Sequence, residues 1–236
     1  MRLSLLLAWF ASFYCCVFFP RLAASSTQQL NESGDIESKN NTTNKELRII
    51  GGTDATEDRY IYTVSLQTGY PYCGGSLILK DIILTAAHCL DGRSNIEVVI
   101  GRHDLNDNDG ERVSVKETVS HPLYNNANGS HDIAILILAS PVKDDKIQPI
   151  ALNNDNSYPK PGKSAQVVGW GDTDPGSAVV NAKQLQIVNL DVISNEECET
   201  ITVGGVNYEG QIDDSMLCTF TEGKDKCKGD SGKSDT

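Results

Sequence analysis

Residues 112–121, Arg112-Val113-Ser114-Val115-Lys116-Glu117-Thr118-Val119-Ser120-His121, decide the fold class. Val113, Val115 and Val119 share one parity, with polar or charged residues between them. That is the period of a strand with one face against a core. Working outward, neighbouring segments read the same way: 96–101 (IEVVIG) and 132–138 (DIAILIL) on either side, then 63–68 (TVSLQT) and 72–79 (YCGGSLIL). Further on come 166–171 (QVVGWG), 185–193 (LQIVNLDVI) and 215–220 (SMLCTF). Turn residues separate these runs, no long stretch shows the helical period, and there is no internal repeat. The pattern predicts an all-β barrel or sandwich. Pro149 to Gly162 is polar and rich in Pro and Asn, a natural connection between two halves.

The chain has 236 residues, room for one large domain or two small ones, and 39% of them are hydrophobic. Twenty basic against 32 acidic side chains give a formal charge of −12. The acidity lies after residue 48. Such a surface repels phosphate backbones, which argues against nucleic acid as a partner.

The N-terminus reads as an export signal. Arg2 is followed by the uncharged run Leu3 to Phe19, then Pro20 and the small residues Ala23, Ala24, Ser25 and Ser26. A signal peptide over 1–24 follows, with an uncleaved membrane anchor as the alternative; a span needs about 20 apolar residues. Residues 25–48 are polar and cannot bury enough surface to offset their ordering entropy, so a disordered segment is expected there. It carries N-glycosylation sequons at Asn31, Asn40 and Asn41, and a fourth stands at Asn128.

Four local signals carry chemistry. Thr85-Ala86-Ala87-His88-Cys89 ends the apolar run DIIL, and a histidine there can act as a general base near neutral pH. His131-Asp132-Ile133-Ala134 puts an acid at the start of an apolar run, half-buried enough to orient an imidazole. Cys227-Lys228-Gly229-Asp230-Ser231-Gly232 sets a serine between flexible glycines, on a turn that exposes its hydroxyl and converges backbone N–H groups. Arg48-Ile49-Ile50-Gly51-Gly52 puts a basic residue at the junction of a polar segment and a domain, a natural processing site. Taken singly, a strand-end histidine, a solvated acid, a Gly/Asp/Ser loop and a boundary arginine are all commonplace.

In the order RIIGG, CGGSLI, LTAAHC, HDIAIL, GWGDT, DKCKGDSG, they resemble the chymotrypsin/trypsin family of serine proteases from Ile49 to Gly232. The resemblance implies two six-stranded antiparallel β-barrels of the trypsin-like fold, the second incomplete, over residues 49–236. It implies a secreted endopeptidase zymogen, cleaving proteins or peptides after Arg or Lys without a cofactor. Ser231 would be the nucleophile, His88 its base, and Asp132 the residue that holds His88 in the right tautomer. The N–H groups of Gly229 and Ser231 would form the oxyanion hole, and Asp225 the floor of the S1 pocket. Residues 25–48 would be an activation propeptide: cleavage after Arg48 would free the amino group of Ile49 to pair with Asp230. Cys73 with Cys89, and Cys198 with Cys218, resemble two family disulfides. The loop GRHDLNDNDGER stands where some members bind calcium, but has Arg102 and Arg112 in place of acids, and Asp109 where an EF-hand needs glycine. No metal site is expected.

The family continues GDSGGP, whereas Gly232 here is followed by Lys233, Ser234, Asp235 and Thr236. The expectation is a truncated product, lacking three strands and a C-terminal helix, inactive as it stands, with Cys227 unpaired and prone to intermolecular disulfides. The GWGDT and EGKDKCKGDS segments also look similar to glucanase inhibitor proteins of plant-pathogenic oomycetes. A catalytically inactive secreted homologue, binding a host glucanase or another protein, is therefore the alternative reading. In the enzyme reading the partners are substrates and proteinaceous inhibitors.

Overall fold

A computed structural model describes residues 52–155, 157–171, 182–203 and 206–221. The expected signal peptide and propeptide lie outside them, as do Ser231, Gly229, Asp230, Asp225, Cys227, Arg48, Ile49, Asn31, Asn40 and Asn41. The strands are β1 (Thr53–Asp54), β2 (Thr63–Gln67), β3 (Pro71–Leu79), β4 (Ile82–Thr85), β5 (Glu97–Ile100), β6 (Glu111–Ser120) and β7 (Ala134–Leu138). After them come β8 (Ser164–Gly169), β9 (Gln186–Ile193), helix α1 (Asn195–Thr200), β10 (Thr202–Val203), β11 (Val206–Asn207) and β12 (Cys218–Thr219). Among the described residues helix is almost absent, as the alternating pattern predicts.

Strands β2 to β7 close into a barrel in the order β2-β3-β4-β7-β6-β5, every pair antiparallel. Closure removes free sheet edges and encloses one core. Val64, Leu66, Leu77, Ile83, Val98, Ile100 and Leu136 fill it, all fully buried. Each such side chain contributes about 1.5–3 kcal/mol through removal from water. In β7 the alternation holds along the strand: Ala134, Leu136 and Leu138 point inward, Ile135 and Ile137 lie half-buried. In β6 it breaks. A bulge between Val115 and Glu117 sets two residues against one on β7, so Val119 pairs with outward-facing Ile135 and is 42% exposed. One extra residue flips the parity of everything after it.

The second half is a four-stranded sheet in which β9 pairs with β8 along its length, β1 at its start and β12 at its end. Val167, Val188 and Leu190 pack on one side, and Val168, Trp170, Leu185, Tyr60 and Ala55 form a second cluster. The described residues thus contain one closed barrel, one open four-stranded sheet and a two-stranded ribbon of β10 and β11. Two expected strands are corrected, and one helix is added. Residues 132–133 leave the strand because the chain turns sharply before Ala134. Of 215–220 only Cys218–Thr219 is extended, since Ser215 is held in a turn by Asp213. Residues 195–200 form a short helix that periodicity over so few residues does not reveal. Its start is nonetheless readable: Ser194 caps it by accepting the Glu197 N–H at 3.1 Å, in an S-x-x-E sequence.

Candidate active site

Strand pairing explains why His88 and Asp132 meet. Thr85, the last residue of β4, lies opposite Ala134, the first of β7. Three residues past one strand end and two before the other therefore occupy the same rim of the barrel. Past Thr85, Ala86 and Ala87 are 5% and 0% exposed, leaving no room for larger side chains. They lead into a 3-10 turn, Ala87–Leu90, that carries His88. Its next residue, Cys89, is bonded to Cys73 on β3 across 16 positions, and Thr85 Oγ1 donates to Gly74 O at 2.7 Å. A disulfide closing a loop of that length contributes about 3 kcal/mol. Here it also clamps the histidine turn to the wall.

Asp132 is 4% exposed. A carboxylate buried this deeply needs hydrogen-bond donors, and His88 supplies two. Its backbone N–H donates to Oδ1 at 2.8 Å, and its Nδ1 stands 2.6 Å from Oδ2, 44 positions away in sequence. An ionised carboxylate only accepts, so the proton of that second bond sits on Nδ1. Nε2 then carries the lone pair, the tautomer of a general base, and its imidazolium form is stabilised by the neighbouring negative charge. Nε2 lies 3.7 Å from Cys89 Sγ. Cys73, His88 and Cys89 converge within 4.8 Å, but both sulfurs are committed to the disulfide. A metal would need them as thiolates.

Among the expected site residues, the structure unites His88 with Asp132, and Cys198 with Cys218 as well as Cys73 with Cys89. Asn128 is exposed at the tip of a loop, its Oδ1 accepting the Ser130 N–H at 3.2 Å. Arg102 is buried at 7%, with Nε 3.4 Å from Asp109 Oδ1, an ionic contact without hydrogen-bond geometry. Asp109 Oδ2 accepts the His103 N–H at 2.7 Å. Arg112 is exposed and pairs with Glu97 at 3.0 Å.

Sequence reasoning did not find two neighbouring features. Arg93 lies over the Tyr72 ring at 3.7 Å, just past the histidine turn. Burial raises the Tyr72 pKa and the Arg93 charge partly offsets this. The second feature surrounds the residue before Asp132. His131 Nδ1 lies 2.8 Å from Ser130 Oγ, its ring stacks on His121 at 4.8 Å, and its N–H donates to Ser215 Oγ at 2.9 Å. No local spacing signals a partner 84 positions downstream.

Residues 49–234 match the trypsin family. Serine protease 1 of Rattus norvegicus is 37% identical over 190 residues, covering 78% of this chain and 73% of that protein. Trypsin of Sarcophaga bullata is 37% identical over 190 residues, covering 78% and 72%. Trypsin of Squalus acanthias is 34% identical over 190 residues, covering 78% of each. With its closed antiparallel barrel and, at the rim, a histidine paired with a buried aspartate, this chain belongs to the trypsin family of serine endopeptidases.

Proposed function

We propose that the protein is a secreted zymogen whose active form cleaves protein or peptide chains after Arg or Lys. The observation that carries this reading is the buried Asp132 carboxylate accepting both His88 N–H groups. That pair sits in a family of endopeptidases, in a chain that also contains Gly229-Asp230-Ser231-Gly232. In this reading Ser231 Oγ bonds to the scissile carbonyl carbon while its proton passes to His88 Nε2. The carbonyl π electrons move onto oxygen, where the Gly229 and Ser231 N–H groups stabilise them. When they return, the C–N bond breaks and the departing amine takes the proton from His88. Water repeats the sequence on the acyl-enzyme and restores the serine.

Specificity rests on Asp225, six residues before the nucleophile, as a counter-charge for a basic side chain. Activation rests on Arg48: cleavage there frees the Ile49 amino group to pair with Asp230, because a buried charge needs a partner. Export is supported by the N-terminal apolar run, by the two disulfides, and by the sequons at Asn31, Asn40, Asn41 and Asn128. The trypsin and protease names of the relatives favour an enzyme over an inactive binding homologue.

The test uses the full-length protein cleaved after Arg48. It should hydrolyse arginine and lysine amides and be labelled at Ser231 by an organophosphonate; Ser231→Ala should abolish both. A preference for aromatic residues at the cleaved position overturns the Asp225 assignment. Full activity of an uncleaved Arg48→Gln protein overturns the zymogen.

A further inference from the structure

Asp132 does not aim itself. His131 adopts φ 54, a left-handed conformation that non-glycine residues take rarely. Its carbonyl accepts the Ile133 N–H at 2.8 Å, which places Asp132 at the apex of a three-residue turn. The direction of the Asp132 carboxylate therefore depends on where the 130–131 peptide, which leads into that turn, is held. That peptide is held from the other half of the molecule: the His131 N–H donates to Ser215 Oγ at 2.9 Å. The Ser215 hydroxyl donates to Asp213 Oδ1, and the Ser215 N–H donates to the same oxygen at 2.7 Å. A hydroxyl can accept and donate at once, so Asp213 takes the Ser215 proton and leaves a lone pair for His131.

The Asp213–Ser215 turn is itself anchored. Asn195 Nδ2 on α1 donates to Asp213 O at 3.1 Å and Met216 O at 3.2 Å. The Cys198–Cys218 disulfide staples α1 to β12. Burial pushes the Asp213 carboxyl up, but bonds from Ser130 and Ser215 and the charge of His131 hold it below the ordinary range. It is thus a carboxylate, and an acceptor, throughout the neutral region.

We propose that Ser215 and Asp213 are positioning residues for the reaction. Through the His131 N–H they fix the turn that points Asp132 at His88, so the Cys198–Cys218 segment sets the geometry of the barrel's Asp–His pair. This rests on the reading of His88 and Asp132 as the base and its orienting acid. Small misplacements of reacting groups cost about 100-fold in rate, whereas substrate binding far from the turn is untouched.

Ser215→Ala, Ser215→Thr and Asp213→Asn test it in the full-length, activated protein. In Ser215→Ala, kcat for a small arginine amide should fall about ten- to a hundredfold, with KM nearly unchanged. A misaimed Asp132 stabilises the imidazolium less, so the acid limb of the kcat profile should move to lower pH. The downfield proton NMR resonance of His88 Nδ1–H should shift upfield. Asp213→Asn should move all three readouts the same way, and Ser215→Thr, which keeps the hydroxyl, should restore them. Wild-type kcat, pH profile and Nδ1–H resonance in folded Ser215→Ala overturn the proposal; if that variant does not fold, the same result in Asp213→Asn does so. A wild-type protein with no Nδ1–H resonance, or one whose activity survives His88→Ala, instead overturns the reading on which the proposal rests.

Discussion

At the scale of single residues, two side-chain facts carry the strongest consequences. Asp132 is acceptor-only, and that is what keeps the proton on His88 Nδ1. Asp132→Asn preserves shape but offers an N–H to the imidazole, driving the His88 proton to Nε2. We expect kcat to fall about 10,000-fold with little change in thermal unfolding. A loss under tenfold would sink the orienting role. Gly75, in the motif CGGSLI, is fixed by close approach. A Cβ there would lie 2.8 Å from Leu84 O and 2.9 Å from Ile83 Cγ2, both on the neighbouring strand. Gly75→Ala should therefore cost about 1–3 kcal/mol, read by urea unfolding; an unchanged midpoint contradicts this. The motif shows the glycine, but only the packed sheet shows what it makes room for.

Among the elements, the loop 101–112 best separates pattern from arrangement. By the family resemblance it has Arg102 and Arg112 where calcium-binding members use acids. In the structure Arg102 is folded under the loop against Asp109, and Asp109 in turn receives the His103 N–H. A guanidinium already occupies the interior, and its charge repels a second cation. Saturating calcium should leave the melting temperature unchanged relative to chelator. Arg102→Ala should lower stability by about 1–3 kcal/mol, because it leaves Asp109 without its counter-charge. A calcium-dependent rise in the wild-type protein would refute this arrangement. Helix α1 gives the complementary lesson: it is short, yet through Asn195 it holds the turn that reaches His131.

At the scale of the whole molecule, the described residues join the barrel to the second half along two seams. At one, Leu105 N–H donates to Lys183 O, Leu185 N–H to His103 O, and Trp170 Nε1 to His103 O at 3.0 Å. At the other, His131 meets Ser215, with Asp213 behind it and His121 stacked on the His131 ring. We expect this second seam to be acid-sensitive. Burial, and then the charge of His131, lower the His121 pKa, and His121 Nδ1 accepts the Leu123 N–H at 3.2 Å. The folded state thus binds this proton less readily than the unfolded chain, whose histidines titrate near ~6.5. Stability contributed by neutral His121 is present above that value and is lost as pH falls below it. The depressed Asp213 contributes in the same direction at lower pH: its share is present above the unfolded value of ~3.9 and lost as pH falls through its folded pKa. We expect the unfolding midpoint in urea to drop on acidification from pH 7 to 5. His121→Gln should flatten that drop. An identical slope in the variant would assign the acid lability elsewhere.

The sequence by itself determined the strand-rich class and the order of the His, Asp and Ser motifs. These are local properties: the period of apolar residues and the chemistry of short, spaced motifs survive in a linear string. The family resemblance added the pairing of four cysteines, which the structure joins as expected. Tertiary structure alone decided how Thr85 and Ala134 come into register, which carries His88 onto Asp132. It also decided where a bulge turns Val119 outward, and which serine in the second half holds the His131 peptide. Those outcomes depend on hydrogen bonds between residues tens of positions apart. Such bonds form only when whole elements dock, so no window of sequence contains both partners.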